Sequence, residues 1–224
     1  MIIAIDGPAG SGKSTVAKIV AKKLRFRYID TGSMYRSVAW KSLQKKVTLV
    51  DEDVVANIAL ETKIELVPGE NGQLVFVDGE NITSQLKKEK ISHGAMIVAA
   101  QPIIREIMTA KQRELGKQGK VVVDGRDIGT VVFPQADKKF FLDADPEERG
   151  RRRFAELKEI KQETNADLTT IVKQIMQRDY EDRNRKIAPL TQAKDAILID
   201  TTHLSVEQVV RKIMKIINSD PVNS

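Results

Sequence analysis

Glycine, lysine and serine are spaced in residues 7–15 in the way that a polyphosphate site requires. The segment reads Gly7, Pro8, Ala9, Gly10, Ser11, Gly12, Lys13, Ser14 and Thr15. Glycines allow the backbone to curl so that successive N–H groups point at an anion. In the pattern G-x-x-x-x-G-K-S/T, Lys13 can reach the β- and γ-phosphates and the Ser14 hydroxyl can ligate Mg²⁺. The sequence therefore predicts that these nine residues bind a nucleoside triphosphate.

The elements on either side of this segment suit that chemistry. The apolar run Met1–Ile5 precedes it, and apolar residues recur at helical spacing from Val16 to Leu24. The helix would present its positive N-terminal end to the same anion. A glycine-rich turn between a strand and a helix is the structural alternative, but the complete spacing favours a phosphate-binding P-loop.

Three further stretches supply arginines and aspartates beyond the needs of a triphosphate site. They are Asp30–Arg36, Asp124–Asp127 and Arg178–Arg185. The first two follow strand-like runs, and ligands of parallel sheets bind beyond the carboxyl ends of the strands. In the third, residues 178, 182 and 185 fall on one face of a helix. Because arginine suits bidentate phosphate binding, the sequence indicates a second phosphorylated ligand.

Two assignments in these stretches leave a structural alternative open. Asp124 is a candidate to orient water on Mg²⁺, and a purely structural role is the alternative. Asp127, at the end of the same strand-like run, is a candidate for contact with a ligand. A turn or cap at the end of a strand is the alternative for Asp127.

A fourth basic stretch, Glu147–Arg153, opens a helix that begins with Pro146. Arg149, Arg152 and Arg153 would share a face of this helix. A nucleic-acid-binding or solvated basic surface is the alternative. Beside two phosphate sites we favour an arginine-rich lid, at about residues 147–164, that closes over the transferred phosphoryl group.

Strand-like runs alternate with helical patterns along most of the chain, which predicts an α/β fold with a parallel sheet covered on both faces. Residues 63–83 differ from this pattern. Two strand-like runs, 63–67 and 73–77, are separated by the turn residues Pro68–Gly72. The sequence therefore predicts a small antiparallel β insert. A helical segment from Ser92 to Leu115 is expected to divide at Pro102.

Composition excludes several classes of protein. The 224 residues include no cysteine and two histidines far apart in the sequence, which excludes disulfides and argues against a zinc site. No apolar run approaches the ~20 residues of a membrane helix, and the first strand starts at once, leaving no room for a signal peptide. We therefore expect a cytoplasmic protein. The net charge of +6 implies anionic partners, either nucleic acid or phosphorylated metabolites.

From Ile3 to about Lys212 the chain resembles the bacterial cytidylate kinases (CMP/dCMP kinases) of the nucleoside monophosphate kinase superfamily. The motifs that carry the resemblance are Ile5–Pro8, Asp30–Arg36, Asp124–Pro134 and Asp182–Arg185 with Ala188–Leu190. The insert at 63–83 matches one found in bacterial members. The resemblance implies one P-loop kinase domain over 1–224 with a five-stranded parallel sheet flanked by helices. Its core would comprise 1–32, 103–146 and 165–224, with a monophosphate-binding region at about 33–102.

The resemblance also implies an activity and a set of roles. The reaction would be Mg²⁺-dependent transfer from ATP to CMP and dCMP in pyrimidine nucleotide metabolism. Its partners would be these small molecules, with no nucleic acid or membrane, and we expect a monomer. Arg36 and Arg126 would hold the acceptor phosphate, Thr31 and Tyr35 would line its site, and Arg105 and Asp127 would read cytosine. Arg178, Asp182 and Arg185 would face the sugar and the transferring phosphates. The catalytic groups would be Lys13, Arg126, Arg149, Arg153 and Arg178, and the metal ligands Ser14 and Asp124.

One position departs from the family pattern, and two other functions stay open. Some members have a base-contacting serine where this chain has Met96, so another hydroxyl such as that of Ser92 is a candidate replacement. A kinase for UMP or AMP is the nearest alternative, and a nucleic-acid-binding ATPase is one of a different class. A regulatory GTPase is excluded, because the sequence contains neither N-K-x-D nor D-x-x-G.

Overall fold

The computed structural model describes residues 1–70, 72–159 and 167–219. The strands within these ranges, numbered in chain order, are β1 (Ile2–Asp6), β2 (Arg27–Asp30), β3 (Ile64–Gly69), β4 (Gly72–Val77), β5 (Glu80–Asn81), β6 (Val121–Gly125), β7 (Lys138–Asp143) and β8 (Ile197–Asp200). The α-helices are α1 (Lys13–Leu24), α2 (Thr31–Gln44), α3 (Glu52–Glu61), α4 (Glu89–Ala100), α5 (Pro102–Gly116), α6 (Pro146–Glu159), α7 (Leu168–Asn184) and α8 (Val206–Ser219). A 3₁₀ turn, Gln85–Lys87, and a π-helical turn, Ile128–Val132, complete the described elements.

The chain forms two compact units. The first comprises Met1–Phe26 with Lys120–Ser224, and the second comprises Arg27–Gly119. The first unit therefore contains both the glycine-rich loop and the Asp124–Asp127 stretch, whereas Asp30–Arg36 lies in the second. The division of the chain that the resemblance implies stays a prediction.

The larger sheet has five strands, the number that the resemblance implies, and their order is β2-β6-β1-β7-β8. Pairing within the first unit is parallel, with Ile5 opposite both Asp124 of β6 and Phe140 of β7. All five residues of β6 are buried, as expected for an internal strand of a parallel sheet. This register brings the ends of β1 and β6 side by side, so the loops that follow them begin next to each other.

Helices of the first unit bury one apolar face each. Val209, Val210, Ile213 and Ile217 of α8 are buried, and α8 packs against α1. A capping box precedes α8, since the Ser205 N–H donates to Gln208 Oε1 and the Gln208 N–H to Ser205 Oγ. None of the described helices is long and apolar enough to cross a membrane.

The predicted antiparallel insert is confirmed in the second unit. Strands β3, β4 and β5 form a separate sheet in that order, with Leu66 opposite Val75. The predicted break at Pro102 is also confirmed, because α5 begins with this proline as its first residue.

One element boundary and one element differ from the sequence-based expectations. Strand β2 begins at Arg27, because Arg25 takes a left-handed conformation and the Phe26 N–H donates to Ala21 O at the end of α1. Helix α4 begins at Glu89, three residues before the expected start. The π-helical turn at Ile128–Val132 was not expected. Part of the predicted lid (160–164) and the end of the chain (220–224) lie outside the described residues.

Candidate active site

The loop between β1 and α1 has the tight backbone that its glycines allow. Gly7 has φ +153°, and a Cβ there would overlap the carbonyl oxygen of Leu142 on β7. Gly10 has φ +75° and lies against Arg149, whose Cβ would be 3.0 Å from an added Cβ. Ser11 is fully buried, whereas Thr15 is exposed on the first turn of α1. The loop therefore has the curled form expected of a phosphate cradle.

The two side chains with the clearest predicted chemistry in this loop are both in contact with oxygen atoms. Lys13 is buried, and its Nζ donates to the carbonyl oxygen of Pro8 at 3.0 Å. The hydroxyl of Ser14 donates to Oδ2 of Asp124 at 2.5 Å. An alcohol and a carboxylate side by side are the oxygen ligands that suit a Mg²⁺ ion held mainly by phosphates and water. The described residues contain no group of three or more His, Asp or Glu side chains that could hold a metal without such help.

A buried carboxylate connects the end of β1 to the loop after β6. Asp6 accepts hydrogen bonds from the backbone N–H of Ile128 at 2.8 Å and of Gly129 at 2.7 Å. Burial raises the pKa of Asp6 to about 7, against the opposing effect of these two N–H groups. The residue that precedes the glycine-rich loop therefore fixes the π-helical turn that follows Asp127.

Asp182 on α7 is surrounded by arginines. Its Oδ2 accepts a hydrogen bond from Arg126 Nε at 2.9 Å and lies 4.0 Å from Arg178 Nε, while its Oδ1 lies 3.6 Å from Arg185 Nη1. Burial would raise the pKa of Asp182, but the positive charges of Arg126 and the other arginines lower it. Burial would lower the pKa of Arg126, and the Asp182 carboxylate raises it instead. Three arginines therefore surround the carboxylate of Asp182.

Asp127 belongs to the same group of side chains. It is buried, and its Oδ1 lies 3.7 Å from Arg185 Nη2. Arg185 in turn donates from Nε to the carbonyl oxygen of Ala188 at 2.6 Å, which fixes its position at the end of α7. The structure thus brings Arg126, Asp127, Arg178 and Asp182 together with Arg185, as the sequence predicted from two separate stretches.

The first arginine of α6 is a buried side chain whose guanidinium has a partner at each nitrogen. Arg149 donates from Nε to Ala144 O at 2.9 Å and from Nη1 to Ala9 O at 3.1 Å. Its Nη2 lies 2.6 Å from Oδ2 of Asp179. Arg149 therefore ties the base of α6 to the glycine-rich loop and to α7. Its predicted contact with the transferring phosphoryl group stays a prediction.

The other two arginines predicted on this face of α6 have different partners. Arg152 donates from Nη2 to Thr201 O at 2.7 Å and from Nε to Glu148 at 3.0 Å. Arg153 pairs with Glu156 at 2.8 Å and is partly exposed. The α6 arginines thus include one that is bound to the loop through Ala9 and others that hold acidic or backbone partners near the surface.

The candidate residues of the second unit form two pairs. Asp30 accepts a hydrogen bond from Arg36 Nη2 at 2.8 Å, beside the buried Thr31. The guanidinium of Arg105 lies 5.5 Å from the centre of the Tyr35 ring, and Arg105 Nη1 donates to Ala99 O at 3.1 Å. The structure therefore brings Tyr35 together with Arg105, and it provides Arg36 with a carboxylate neighbour.

A known protein family matches a range of the chain that includes these candidate residues. A sequence model described as cytidylate kinase matches residues 3–219. The chain belongs to the cytidylate kinase family. It is accordingly a phosphotransferase of the nucleoside monophosphate kinase type. The matched range includes the P-loop, the Asp124–Asp127 stretch and the arginines of α7.

Curated relatives match the chain over nearly its whole length. A cytidylate kinase of Geobacillus sp. (strain WCH70) is 52% identical over 216 residues, which is 96% of each chain. Cytidylate kinases of Ligilactobacillus salivarius (strain UCC118) and Bacillus subtilis (strain 168) are 47% and 46% identical over 96% and 95% of this chain and 95% and 94% of their own. The match of a family model and relatives of this kind confirms the predicted resemblance.

Solved structures support the fold class. A shikimate kinase from Bacteroides thetaiotaomicron has a TM-score of 0.51 at 16% identity, over 97% of this chain and 98% of that one. Likeness at this level of identity concerns the fold alone. It confirms that this cytidylate kinase family member has a P-loop kinase fold.

Four residues that hold elements of the candidate site were given no role of their own by the sequence. They are Asp6, Asp30, Asp179 and Thr201, each of which bonds to a predicted site element. A signal existed for Asp6, since a carboxylate directly follows a buried apolar strand, as at Asp124. Asp30 was visible as a cap for α2. Asp179 offered no signal, because its partner Arg149 is 30 residues away in a different helix.

Proposed function

We propose that this chain transfers the γ-phosphoryl group of ATP, with Mg²⁺, to CMP and dCMP, forming ADP and CDP or dCDP. The observation that carries the proposal is the arginine cluster around Asp182 in the same unit as the P-loop. Asp182 and Asp127 supply two carboxylates to this cluster, whereas three arginines approach them. The surplus positive charge suits a phosphorylated acceptor, and the names of the relatives indicate which one.

For the donor, we assign the triphosphate to residues 7–15. The backbone N–H groups of this loop and the N-terminal end of α1 would bind the phosphate oxygens. Lys13 would exchange its bond to Pro8 O for a phosphate oxygen. Ser14 and Asp124 would hold Mg²⁺, which supplies charge neutralisation to the phosphates when bound.

For the acceptor, we assign Arg126 and Arg36 to the phosphate of the monophosphate. Arg126 is bonded to Asp182 and Arg36 to Asp30, and each guanidinium has further N–H groups besides the one that bonds to its carboxylate. Arg178, Asp182 and Arg185 would contact the sugar and the transferring phosphates. Thr31 and Tyr35 would line the acceptor site.

For the base, we assign recognition of cytosine to Asp127 and Arg105. A carboxylate accepts a hydrogen bond from the exocyclic amine of cytosine and repels the carbonyl oxygen at the same place in uracil. Asp127 is buried, so this difference is not screened by bulk water. Met96 and Ser92 lie four residues apart on α4, which puts them on the same face, so Ser92 is one turn from the position of the absent serine.

The reaction needs no general base. The attacking group is a phosphate oxygen, and a phosphate monoester with a second pKa of about 6 is largely ionised at neutral pH. Catalysis therefore consists of aligning two anions and neutralising their charge. The transferring phosphoryl group would be stabilised by Lys13, Arg126 and Arg178. Arg149 and Arg153 of α6 would add their positive charges to it.

The test is ADP release in a coupled assay with ATP and Mg²⁺, with and without each acceptor. We expect CMP and dCMP to stimulate ADP release strongly, and chelation of Mg²⁺ to abolish it. Single-stranded polynucleotide is added in a parallel arm because the chain is basic. Stimulation by polynucleotide and not by CMP would replace the proposal with a nucleic-acid-binding ATPase.

A further inference from the structure

We propose that Gln73 of the antiparallel insert is a positioning residue for Arg36, and hence for the phosphate of the acceptor nucleotide. Its side-chain Nε2 donates to Tyr28 O at 2.6 Å, and its Oε1 accepts from the Asp30 N–H at 3.2 Å. This inference rests on the proposed function, because it takes Arg36 as an acceptor-binding group.

The two bonds of Gln73 reproduce the pattern of a strand neighbour. In a parallel pair, one residue donates to the carbonyl before the residue opposite it and accepts from the N–H after it. The primary amide of Gln73 does this on either side of Ile29, which is fully buried. Strand β2 stands at the end of the strand order, so this amide supplies hydrogen-bond partners along the edge of the strand.

Asp30 passes this constraint on to Arg36. Its backbone N–H is held by Gln73, and its Oδ1 accepts from the Ser33 N–H at 2.9 Å as the cap of α2. Its Oδ2 accepts from Arg36 Nη2 at 2.8 Å. A shift of the Asp30 backbone would therefore move both the start of α2 and the anchor of the Arg36 guanidinium.

The insert is itself held in place next to these elements. Lys41 on α2 pairs with Asp78, just beyond β4, at 3.0 Å, and Arg27 of β2 donates to Leu66 O of β3 at 3.4 Å. Gln73 thus lies on a sheet that is held to α2 and β2 by these two contacts. Through Gln73, the insert fixes the backbone position of the end of β2.

Three variants separate positioning from general stability. Gln73→Leu removes both bonds, and Gln73→Glu keeps an acceptor for the Asp30 N–H but opposes a carboxylate to Tyr28 O. Thr83→Val is the matched control, since Thr83 Oγ1 accepts from the Val75 N–H at 2.9 Å and donates to Asn81 Oδ1 at 2.7 Å, both within the insert. It loosens the insert and leaves the Gln73 contacts intact.

We expect Gln73→Leu to raise the KM for CMP about tenfold, because the lost hydrogen bonds position an acceptor-binding group. The KM for ATP should stay unchanged within about twofold. Gln73→Glu should raise the KM for CMP as well, and Thr83→Val should not. Amide hydrogen exchange at Asp30 should accelerate in both Gln73 variants and not in Thr83→Val. If Gln73→Leu does not fold, Gln73→Glu is judged by the same criteria.

Two outcomes overturn the inference. One is an unchanged KM for CMP in a folded Gln73 variant, and the other is an equal rise for Thr83→Val, which would make the insert a general stabiliser. Failure of the proposed function is a separate result, because it appears in the wild-type chain as absent CMP phosphorylation. In that case the amide exchange rate at Asp30 still tests whether Gln73 holds the Asp30 backbone, because this measurement needs no nucleotide.

Discussion

Arg126 Nε donates to Oδ2 of Asp182 at 2.9 Å, and this bond joins two residues 56 positions apart in the chain. Arg126 follows β6 and Asp182 lies on α7, so the pair ties the loop after β6 to that helix. Both side chains are largely buried, which limits the directions available to the remaining guanidinium nitrogens. Asp182 therefore orients Arg126 and does not simply neutralise it.

Removal of Arg126 should impair transfer far more than hydrolysis. In Arg126→Ala the acceptor phosphate loses a charge-assisted contact, whereas the P-loop keeps its own groups. We expect kcat/KM for CMP to fall at least about a hundredfold, in line with the loss of a charged contact to a phosphate. Slow background ATP hydrolysis should change by less than about threefold. Both rates are measured as ADP release, and Arg211→Ala, an exposed change on α8, is the control. Equal losses of the two rates would count against an acceptor-phosphate role.

Asp127→Asn should weaken the discrimination of CMP from UMP. The amide nitrogen can donate to the uracil carbonyl that the carboxylate repels. We expect the ratio of kcat/KM for CMP to that for UMP to fall about tenfold, within the 1–3 kcal/mol that a base contact supplies. The measurement is the steady-state rate with each acceptor at saturating ATP. An unchanged ratio would remove Asp127 from base recognition.

Arg149→Ala should destabilise the fold. The change leaves the carboxylate of Asp179 buried without its cation, which costs about 3–5 kcal/mol for a buried pair. Arg151→Ala is the matched control on the same helix, because Arg151 is 57% exposed and its ion pairs with Glu147 and Glu148 contribute less than about 1 kcal/mol. Urea unfolding at neutral pH measures both. Similar losses for the two variants would contradict the structural role of Arg149.

Asp6→Asn should change how stability depends on pH. Because burial raises the pKa of Asp6 from 3.8 to about 7, the folded state binds its proton more tightly than the unfolded state. Its contribution to stability is therefore full below the unfolded pKa and is lost as the pH rises through about 7. The asparagine variant does not titrate, so its free energy of unfolding relative to wild type should rise between pH 5 and pH 8, by about 3 kcal/mol. The charged neighbours Arg126 and Asp127 are present in both proteins. Parallel pH profiles would contradict the raised pKa.

Local patterns were sufficient to predict the elements that carry the site. The glycines at 7–12 with Lys13 and Ser14 specify the loop by their spacing, and apolar runs that end in aspartate specify β6, β7 and β8. Residues 178, 182 and 185 were predicted to share a face, and the ion pairs of Asp182 with Arg178 and Arg185 confirm it. The loop, the strands and the shared helix face each depend on residues that are close together in the sequence.

Features that depend on distant partners were not predictable in the same way. Helical spacing put Arg149 on a face with Arg152 and Arg153, but its partner Asp179 is set by the packing of α6 on α7, in which Leu157, Ile171 and Ile175 are buried together. The π-helical turn after Asp127 depends on the Asp6 carboxylate, 122 positions away. Neither the position of a buried charge nor its tertiary partner leaves a periodic signal in the sequence.

A competition analysed by anion-exchange chromatography tests the central claim most directly. The chain is mixed with ATP, Mg²⁺ and equal concentrations of CMP, UMP and AMP, and the nucleoside diphosphates and inorganic phosphate that form are separated and quantified. The assignment of ATP as donor and CMP as acceptor predicts that CDP and ADP form in equal amounts before UDP is detectable. Formation of inorganic phosphate without CDP, or faster consumption of UMP or AMP, would contradict it.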